Sequence, residues 1–424
     1  MANVHLPKGM RDLLPPAMRR RLHVIDTVRR VFSTFGFEPL ETPAMERIDT
    51  LLGKYGEEGD KLVFKVLKRG EGAKRGETDL ALRYDLTVPL ARVMAMNPSL
   101  PLPFRRYQVE PVWRADRPQR GRFRQFHQCD VDIVGTTSPQ AEAECIAVVH
   151  ASLKALGFEG FIIRMNDRRI LRLMAAAVGA SDLEVSMLTA LDKLDKIGRD
   201  GVIADMLRRG LTAEQADGVF AMLDGAPVPG AEEAEANLAR IVALATELGV
   251  DPARLQIDRT LARGLDYYTG PVFETILPEG NIGSISGGGR YDGLIGMFSG
   301  RDVPAVGISL GLERIIVLME ERGMFPNVDT AVDVYVTVFD EERRGPSLAA
   351  AHALRDAGQR VEVSYAAGKL GKQFKKANQR GAHWVVTIGP DEHAAGTLQL
   401  KDMRSGDRLT LPLSEAVTRI TDQS

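Results

Sequence analysis

Cysteine is almost absent from this chain. Cys129 and Cys145 are the only two in 424 residues, and neither sits in a close-spaced Cys/His cluster of the kind that holds zinc, so no metal site is expected. Such scarcity fits a reducing compartment. No apolar run approaches the ~20 residues that span a bilayer. The N-terminal stretch MANVHLPKGMRDLLPP lacks the charged-then-apolar layout of an export signal. The expectation is a cytoplasmic protein with no membrane contact. Excess charge is missing too: 55 Lys+Arg against 57 Asp+Glu leave a net charge of -2. That argues against bulk electrostatic binding of nucleic acid and shifts the question to local patches.

What remains is the composition of a soluble globular protein, 44% hydrophobic and 26% charged. The length suggests two or three domains. Leu22, Ile25, Val28, Phe32 and Phe35 follow the three-and-four spacing of an amphipathic helix over 18–35, with Gly36 as its C-cap. FEPLETP then reads as a strand. From Phe104 to Gly135 the sequence predicts a long antiparallel hairpin around a loop at 115–123. Residues 168–254 turn to Ala, Leu, Glu and Arg with helical periods, as in RRILRLMAAAV and AEANLARIVALATEL, which reads as a helical insertion. Strand and glycine texture returns at 255. After a further change near 327–331, strand and helix alternate, which predicts a small, mostly parallel α/β domain.

Chemistry concentrates in a few stretches. RADRPQRGRFRQFHQCDVD, residues 114–132, puts Arg114, Arg117, Arg120, Arg122 and Arg124 into eleven positions and two aspartates behind them. Strand alternation places Phe126, Gln128, Asp130 and Asp132 on one face, with His127, Cys129, Val131 and Ile133 on the other. Such a face suits a ligand with phosphates at one end and a cationic or hydrogen-bonding group at the other; the competing reading is a solvated charged hairpin. RGLDYYTG (263–270) offers Arg263, Tyr267 and Tyr268 either to a polar ligand or to backbone partners in a core. SGGGRYDG (286–293) removes three side chains, letting backbone approach a ligand or another strand. GISLGLERI (307–315) fits a strand entering a helix, with Arg314 in its first turn, where anions are favoured. In LRYDLTVPLAR (82–92), Asp85 and Thr87 share a strand face or else belong to a turn.

Taken together, these stretches resemble the class II aminoacyl-tRNA synthetases, and within them the histidyl-tRNA synthetase family, over essentially the whole chain. FGFEPLETP resembles motif one, VWRADRPQRGRFRQFHQCDVD motif two and GISLGLER motif three; RGLDYYTG and SGGGRYDG resemble the two histidine signatures. The resemblance implies an antiparallel-sheet catalytic domain at 1–167 and 255–326, split by the helical insertion at 168–254, and an α/β anticodon-binding domain at 331–424. It implies ligation of histidine to tRNA(His) through a histidyl-adenylate, with ATP and Mg²⁺, without a prosthetic group, in a homodimer. By position, Arg114 would bind the α-phosphate, Phe126 would stack on adenine, and Arg122 and Arg314 would hold the outer phosphates. Asp85, Thr87 and Gln128 would receive the α-amino group. Asp132, Tyr267 and Tyr268 would surround the imidazole, and Arg263 would stabilise charge between carboxylate and α-phosphate. Arg120, Lys372, Lys376 and Arg380 are candidates for tRNA contact. Aspartates at 85 and 132, where many bacterial relatives have glutamate, resemble the subgroup that includes eukaryotic cytoplasmic enzymes. The rival is a non-catalytic paralogue, a histidine-binding regulatory subunit of ATP phosphoribosyltransferase; it typically lacks the C-terminal domain and the phosphate-binding arginines.

Overall fold

The computed structural model describes residues 4–52, 61–262, 267–280, 282–326 and 330–423. Two compact units emerge, one formed by the chain start up to Asp12 with Arg21–Met324, the other by Leu13–Arg20 with everything from Phe325 onward.

The first unit is organised by an eight-stranded sheet. Across it run Glu38–Pro39, Phe104–Trp113, Gln125–Val134, Ala305–Gly311, Ser284–Arg290, Pro271–Ile276, Ile162–Asp167 and Leu255–Ile257. The interior pairings are antiparallel; only the two edge strands pair in parallel. FEPLETP thus contributes a strand of only two residues, Glu38–Pro39, since Pro39 and Pro43 cannot donate to a ladder. The helix before it, Pro15–Thr34, buries Val24, Ile25, Val28 and Phe32, and Gly36 follows at φ 73°.

One helix explains how the sheet is backed. Pro139–Ala155 starts at Ser138, whose side chain accepts from the Gln140 N–H, and Pro139 occupies the first turn, where its missing N–H costs nothing. Its Glu142 forms a buried ion pair, at 2.5 Å, with Arg290 of the SGGGR strand. Residues 168–254 carry five α-helices: Arg168–Ala177, Glu184–Leu191, Leu194–Arg208, Ala213–Leu223 and Glu232–Glu247. The fourth opens on a reciprocal Thr212/Gln215 capping box.

The second unit holds a five-stranded sheet ordered Val361–Val363, Val334–Val336, Trp384–Thr387, Thr397–Asp402, Arg408–Pro412. Its first three strands are parallel, but the last two pairings are antiparallel, which corrects the mostly parallel expectation. The alternating side chains of Val334–Val336 serve two cores: Val334 and Val336 pack with Leu354, Trp384 and Ile420, while Tyr335 packs with Ala377 and Val385. Among the described residues no helix is long and apolar enough to cross a membrane.

Candidate active site

The register of the central strands builds the site. Phe104–Trp113 pairs with Gln125–Val134 so that Arg106 faces Asp132, Gln108 faces Asp130 and Glu110 faces Gln128. On the other side of Gln125–Val134, Gly307 faces Asp132, Ser309 faces Asp130 and Gly311 faces Gln128. Directly opposed residues point to the same face, so the three polar side chains share one floor with two glycines beside them. A Cβ on Gly307 would overlap the Asp132 carboxylate, and one on Gly288 would overlap the Gly307 carbonyl. Glycine is therefore required for the close strand approach, whereas Gly287 fronts the cavity.

Above this floor lies a cavity of about 310 Å³. Ten of the site residues named from sequence line it: Asp85, Thr87, Arg114, Arg122, Phe126, Gln128, Asp132, Tyr267, Tyr268 and Arg314. Arg263 lies outside the described residues. The other four candidates lie elsewhere. Arg120 is ion-paired with Glu321 on the surface, and the helix Leu370–Gln379 carries Lys372 and Lys376 and is followed by Arg380 in the second unit. Lys376 and Arg380 share one acidic partner, Glu362, at 3.1 and 2.6 Å.

One end of the cavity is carboxylate-rich. Asp132 is ion-paired with the fully buried Arg106, Nη2 to Oδ2 at 2.7 Å, and its other oxygen accepts from the Tyr291 hydroxyl. The Arg106 contact is close but not aligned as a hydrogen bond, and Asp132 Oδ2 has no hydrogen-bond donor among the described residues. The Gln128 amide donates towards Ser309 Oγ at 3.2 Å and Asp130 Oδ1 at 3.4 Å, which leaves its buried Oε1 likewise without a donor. Buried acceptors are ordinarily satisfied; two in one cavity wall mark where a ligand's N–H groups fit. Burial raises the pKa of Asp130 and Asp132, with Arg106 opposing. Burial also pushes Asp85 up to about 7, opposed by the Val88 N–H and Arg114. Tyr267 and Tyr268 stack edge to face at 4.8 Å, and burial holds both phenols above their ordinary range.

Asp85 and Thr87 reach this end from a turn, not from a strand face. The strand stops at Leu82, the Asp85 carboxylate accepts from the Val88 N–H at 3.2 Å, and Thr87 begins the helix Thr87–Met96. Pro89 in the helix's first turn and a carboxylate placed to receive a free N–H favour helix initiation over strand continuation.

The other end is cationic. Arg114 Nε donates to the Tyr84 carbonyl at 2.9 Å, and its guanidinium carbon lies 5.1 Å from the Phe126 ring centroid. Arg122 is held by Asp116 at 2.6 Å, a carboxylate in a position that a phosphate can replace. Arg314, in the first turn of Leu312–Glu321, donates to the Ser284 carbonyl. The hairpin ends near Asp132 while its loop carries Arg122, so a ligand would span cation to carboxylate along one strand.

Several lining residues escaped the list drawn from sequence: Asp116, Asp130, Tyr291, Ser309 and Glu313. For Asp130 the signal was available, since it shares the polar face of Gln128 and Asp132. Ser309 follows only from cross-strand register. His127, read as part of an almost apolar face, also lines the cavity; Arg21 Nη1 lies 2.8 Å from its Nδ1. Burial and Arg21 push its pKa down to about 4. The ring is neutral, and because Arg21 can only donate, Nδ1 accepts and Nε2 carries the proton.

Comparison with known proteins adds to this geometry. The family model described as "Histidyl-tRNA synthetase" matches residues 9–315, and one described as "Anticodon binding domain" matches 333–423. A relative from Gloeobacter violaceus, named histidine–tRNA ligase, is 43% identical, covering 96% of this chain and 96% of its own. One of the same name from Aeropyrum pernix is 41% identical, covering 98% and 97%. The crystal structure of histidyl-tRNA synthetase from Nostoc sp. PCC 7120 superposes with a TM-score of 0.87 at 31% identity, with 100% of each chain covered.

Proposed function

Because the chain belongs to the histidyl-tRNA synthetase family, we propose that it joins L-histidine to tRNA(His) at the expense of ATP, through a histidyl-adenylate. The observation that carries this reading is the polarity of the cavity, with three arginines at one end and, at the other, buried carboxylates beside two acceptors, Asp132 Oδ2 and Gln128 Oε1, that lack a hydrogen-bond donor among the described residues. An aminoacyl-adenylate has the same layout.

In the first step the histidine carboxylate attacks the α-phosphorus in line and pyrophosphate leaves. The terminal ribose hydroxyl of tRNA then attacks the acyl carbon, and AMP leaves. No covalent enzyme intermediate is needed; positioning and charge stabilisation carry the rate. Arg114 binds the α-phosphate, Arg122 and Arg314 hold the outer phosphates, and Phe126 stacks on adenine. Asp85, Thr87 and Gln128 take the α-ammonium group. Asp132 accepts an imidazole N–H beside Tyr267 and Tyr268, and Arg263 neutralises charge at the reacting carboxylate. ATP enters as its Mg²⁺ complex. A pocket that hydrogen-bonds both imidazole nitrogens discriminates by roughly 10⁴ against side chains lacking them, because its own buried groups are then left unpaired. The catalytic domain comprises 1–167 and 255–326, around the insertion 168–254. The domain at 331–424 contacts tRNA, with Lys372, Lys376 and Arg380, and Arg120 lies towards the acceptor end. The enzyme works as a cytoplasmic homodimer.

Histidine-dependent exchange of labelled pyrophosphate into ATP tests the reading, run with each of the twenty amino acids. Exchange with histidine alone is the expected result. Folded protein that binds histidine but exchanges nothing would point to the regulatory paralogue.

A further inference from the structure

The N-terminal stretch preceding the first helix takes no part in the roles above, yet it reaches the cationic end of the cavity. The Gly9 carbonyl accepts from the Arg124 N–H at 2.9 Å, and the Lys8 carbonyl from Arg124 Nη1 at 3.4 Å. Gly9 has φ +81°, and a Cβ there would lie 2.7 Å from Pro118 and 2.9 Å from Arg124. A glycine is thus what allows the segment to lie flat on the base of the arginine-rich loop.

Arg11 then reaches two residues of the site's lining. Its guanidinium carbon sits 3.8 Å from the centroid of the Phe123 ring, within cation–π range, and the same group is ion-paired with Glu313. Phe123 is the neighbour of Arg122 on the loop, and Glu313 the neighbour of Arg314 on the helix. Glu313 does not need Arg11 for neutralisation: the buried Arg21 already donates to both its oxygens, at 2.6 and 2.7 Å. Loop and helix are already joined on the surface by Arg120 and Glu321; what Arg11 adds is a second bridge, at the two residues adjoining Arg122 and Arg314.

We propose that Arg11 is a positioning residue for the triphosphate of ATP, a cross-brace that fixes the spacing of Arg122 and Arg314 through Phe123 and Glu313 without touching the nucleotide. This rests on the reading of the cationic end as the ATP subsite. Two arginines must meet oxygens on neighbouring phosphates, and losing one charge-assisted hydrogen bond to a displaced arginine lowers affinity roughly ten- to a hundredfold. The histidine end lies further along the same strand, at Asp132, and takes Asp85 and Thr87 from a separate turn, so it is away from the two residues that Arg11 contacts, Phe123 and Glu313.

The test uses Arg11→Ala and Arg11→Lys in the full-length protein, with ATP and histidine affinities measured separately by equilibrium dialysis, followed by pyrophosphate exchange. Arg11→Ala should weaken ATP at least tenfold and leave histidine affinity within about twofold. Arg11→Lys keeps the ion pair but loses the flat stacking group, and should recover part of the loss. Unchanged ATP affinity in Arg11→Ala overturns the proposal. So does an equal loss for both ligands with a lowered Tm, the mark of a merely structural residue. If wild type binds ATP but exchanges nothing, the functional reading fails and the ATP affinity ratio still decides the role of Arg11. If wild type binds no ATP, the inference falls with that reading.

Discussion

Replacing Asp132 by Asn removes one charge and almost no volume, at a place where the charge has two duties. In the unliganded protein it balances Arg106, whose side chain is 0% exposed. Without it the guanidinium's hydrogen-bond acceptors among the described residues are the Gln108 amide oxygen at 3.3 Å and the Leu86 carbonyl at 3.2 Å. Stranding one member of a buried pair costs about 3–5 kcal/mol. The lower end applies here, because Asp130 interacts with the same arginine and its pKa is raised partly by Asp132, so it ionises more readily once Asp132 is neutral. At roughly 2 °C per kcal/mol for a large domain, Tm should fall by about 6 °C. In the proposed complex the carboxylate is the acceptor for imidazole; a hydrogen bond to a charged group contributes about 1.5–3 kcal/mol, so histidine affinity should drop roughly 10- to 200-fold. ATP affinity should change by less than about threefold, since the arginine end is untouched. Calorimetric titration of each ligand and thermal unfolding read all three quantities. Adding Arg106→Met removes the stranded charge and should restore much of the Tm but none of the histidine affinity. Equal losses for ATP and histidine, or a Tm unchanged by Asp132→Asn, would refute the reasoning.

Other outcomes follow from the same geometry. Gly307→Ala drives a methyl group into the Asp132 carboxylate; histidine binding should fall at least tenfold, and retention of wild-type affinity would show that the strands separate freely. Arg314→Ala should slow adenylate formation by roughly 10²–10³ in a single turnover, whereas an unaltered rate would remove it from the phosphate site. Burial holds the folded-state pKa of Asp85 near 7, above its unfolded value. Its contribution to stability is therefore full below about pH 4 and is lost as pH rises through 7. An ammonium ligand needs the ionised form, so histidine should bind more tightly at pH 8 than at pH 6 and release protons. Titration in buffers of different ionisation heat measures that release, and Asp85→Asn should lower it; an unchanged proton count contradicts the assignment. Lys376→Glu should raise the KM for tRNA severalfold while leaving pyrophosphate exchange intact; a fall in exchange would assign the residue to the fold instead.

The hairpin was legible in the sequence because its physics is local: alternation puts Gln128, Asp130 and Asp132 on one face, and a Pro/Gly/Arg cluster marks the turn. Arg106 was not legible. In FRRYQVE an arginine looks like surface, and its complete burial is set by Asp132, twenty-six positions later, through strand register. The helix Pro15–Thr34 shows the same limit. Its spacing nominates Leu22 for the core, but Leu22 is 41% exposed and Arg21 3%, because Glu313 and His127 lie where Arg21 points. Asp85 and Thr87 were found as a pair from chemistry although a turn, not a strand, presents them. The antiparallel half of the second sheet was missed where TLQLKD and RLTLP do alternate; the preceding run of strand–helix units drew the reading towards parallel order.

The floor of the cavity has a consequence for how this chain can change length. Inserting one residue between Gln125 and Asp132 would invert every later side chain, sending Asp132 beneath the sheet and Val131 into the ligand's path. An insertion at 117–120 would leave both strands in phase. The first segment therefore admits no added letters, and the loop absorbs them while its arginines keep their reach. Variation in chain length among working descendants of this sequence should gather at the tip of the hairpin and stop at its strands.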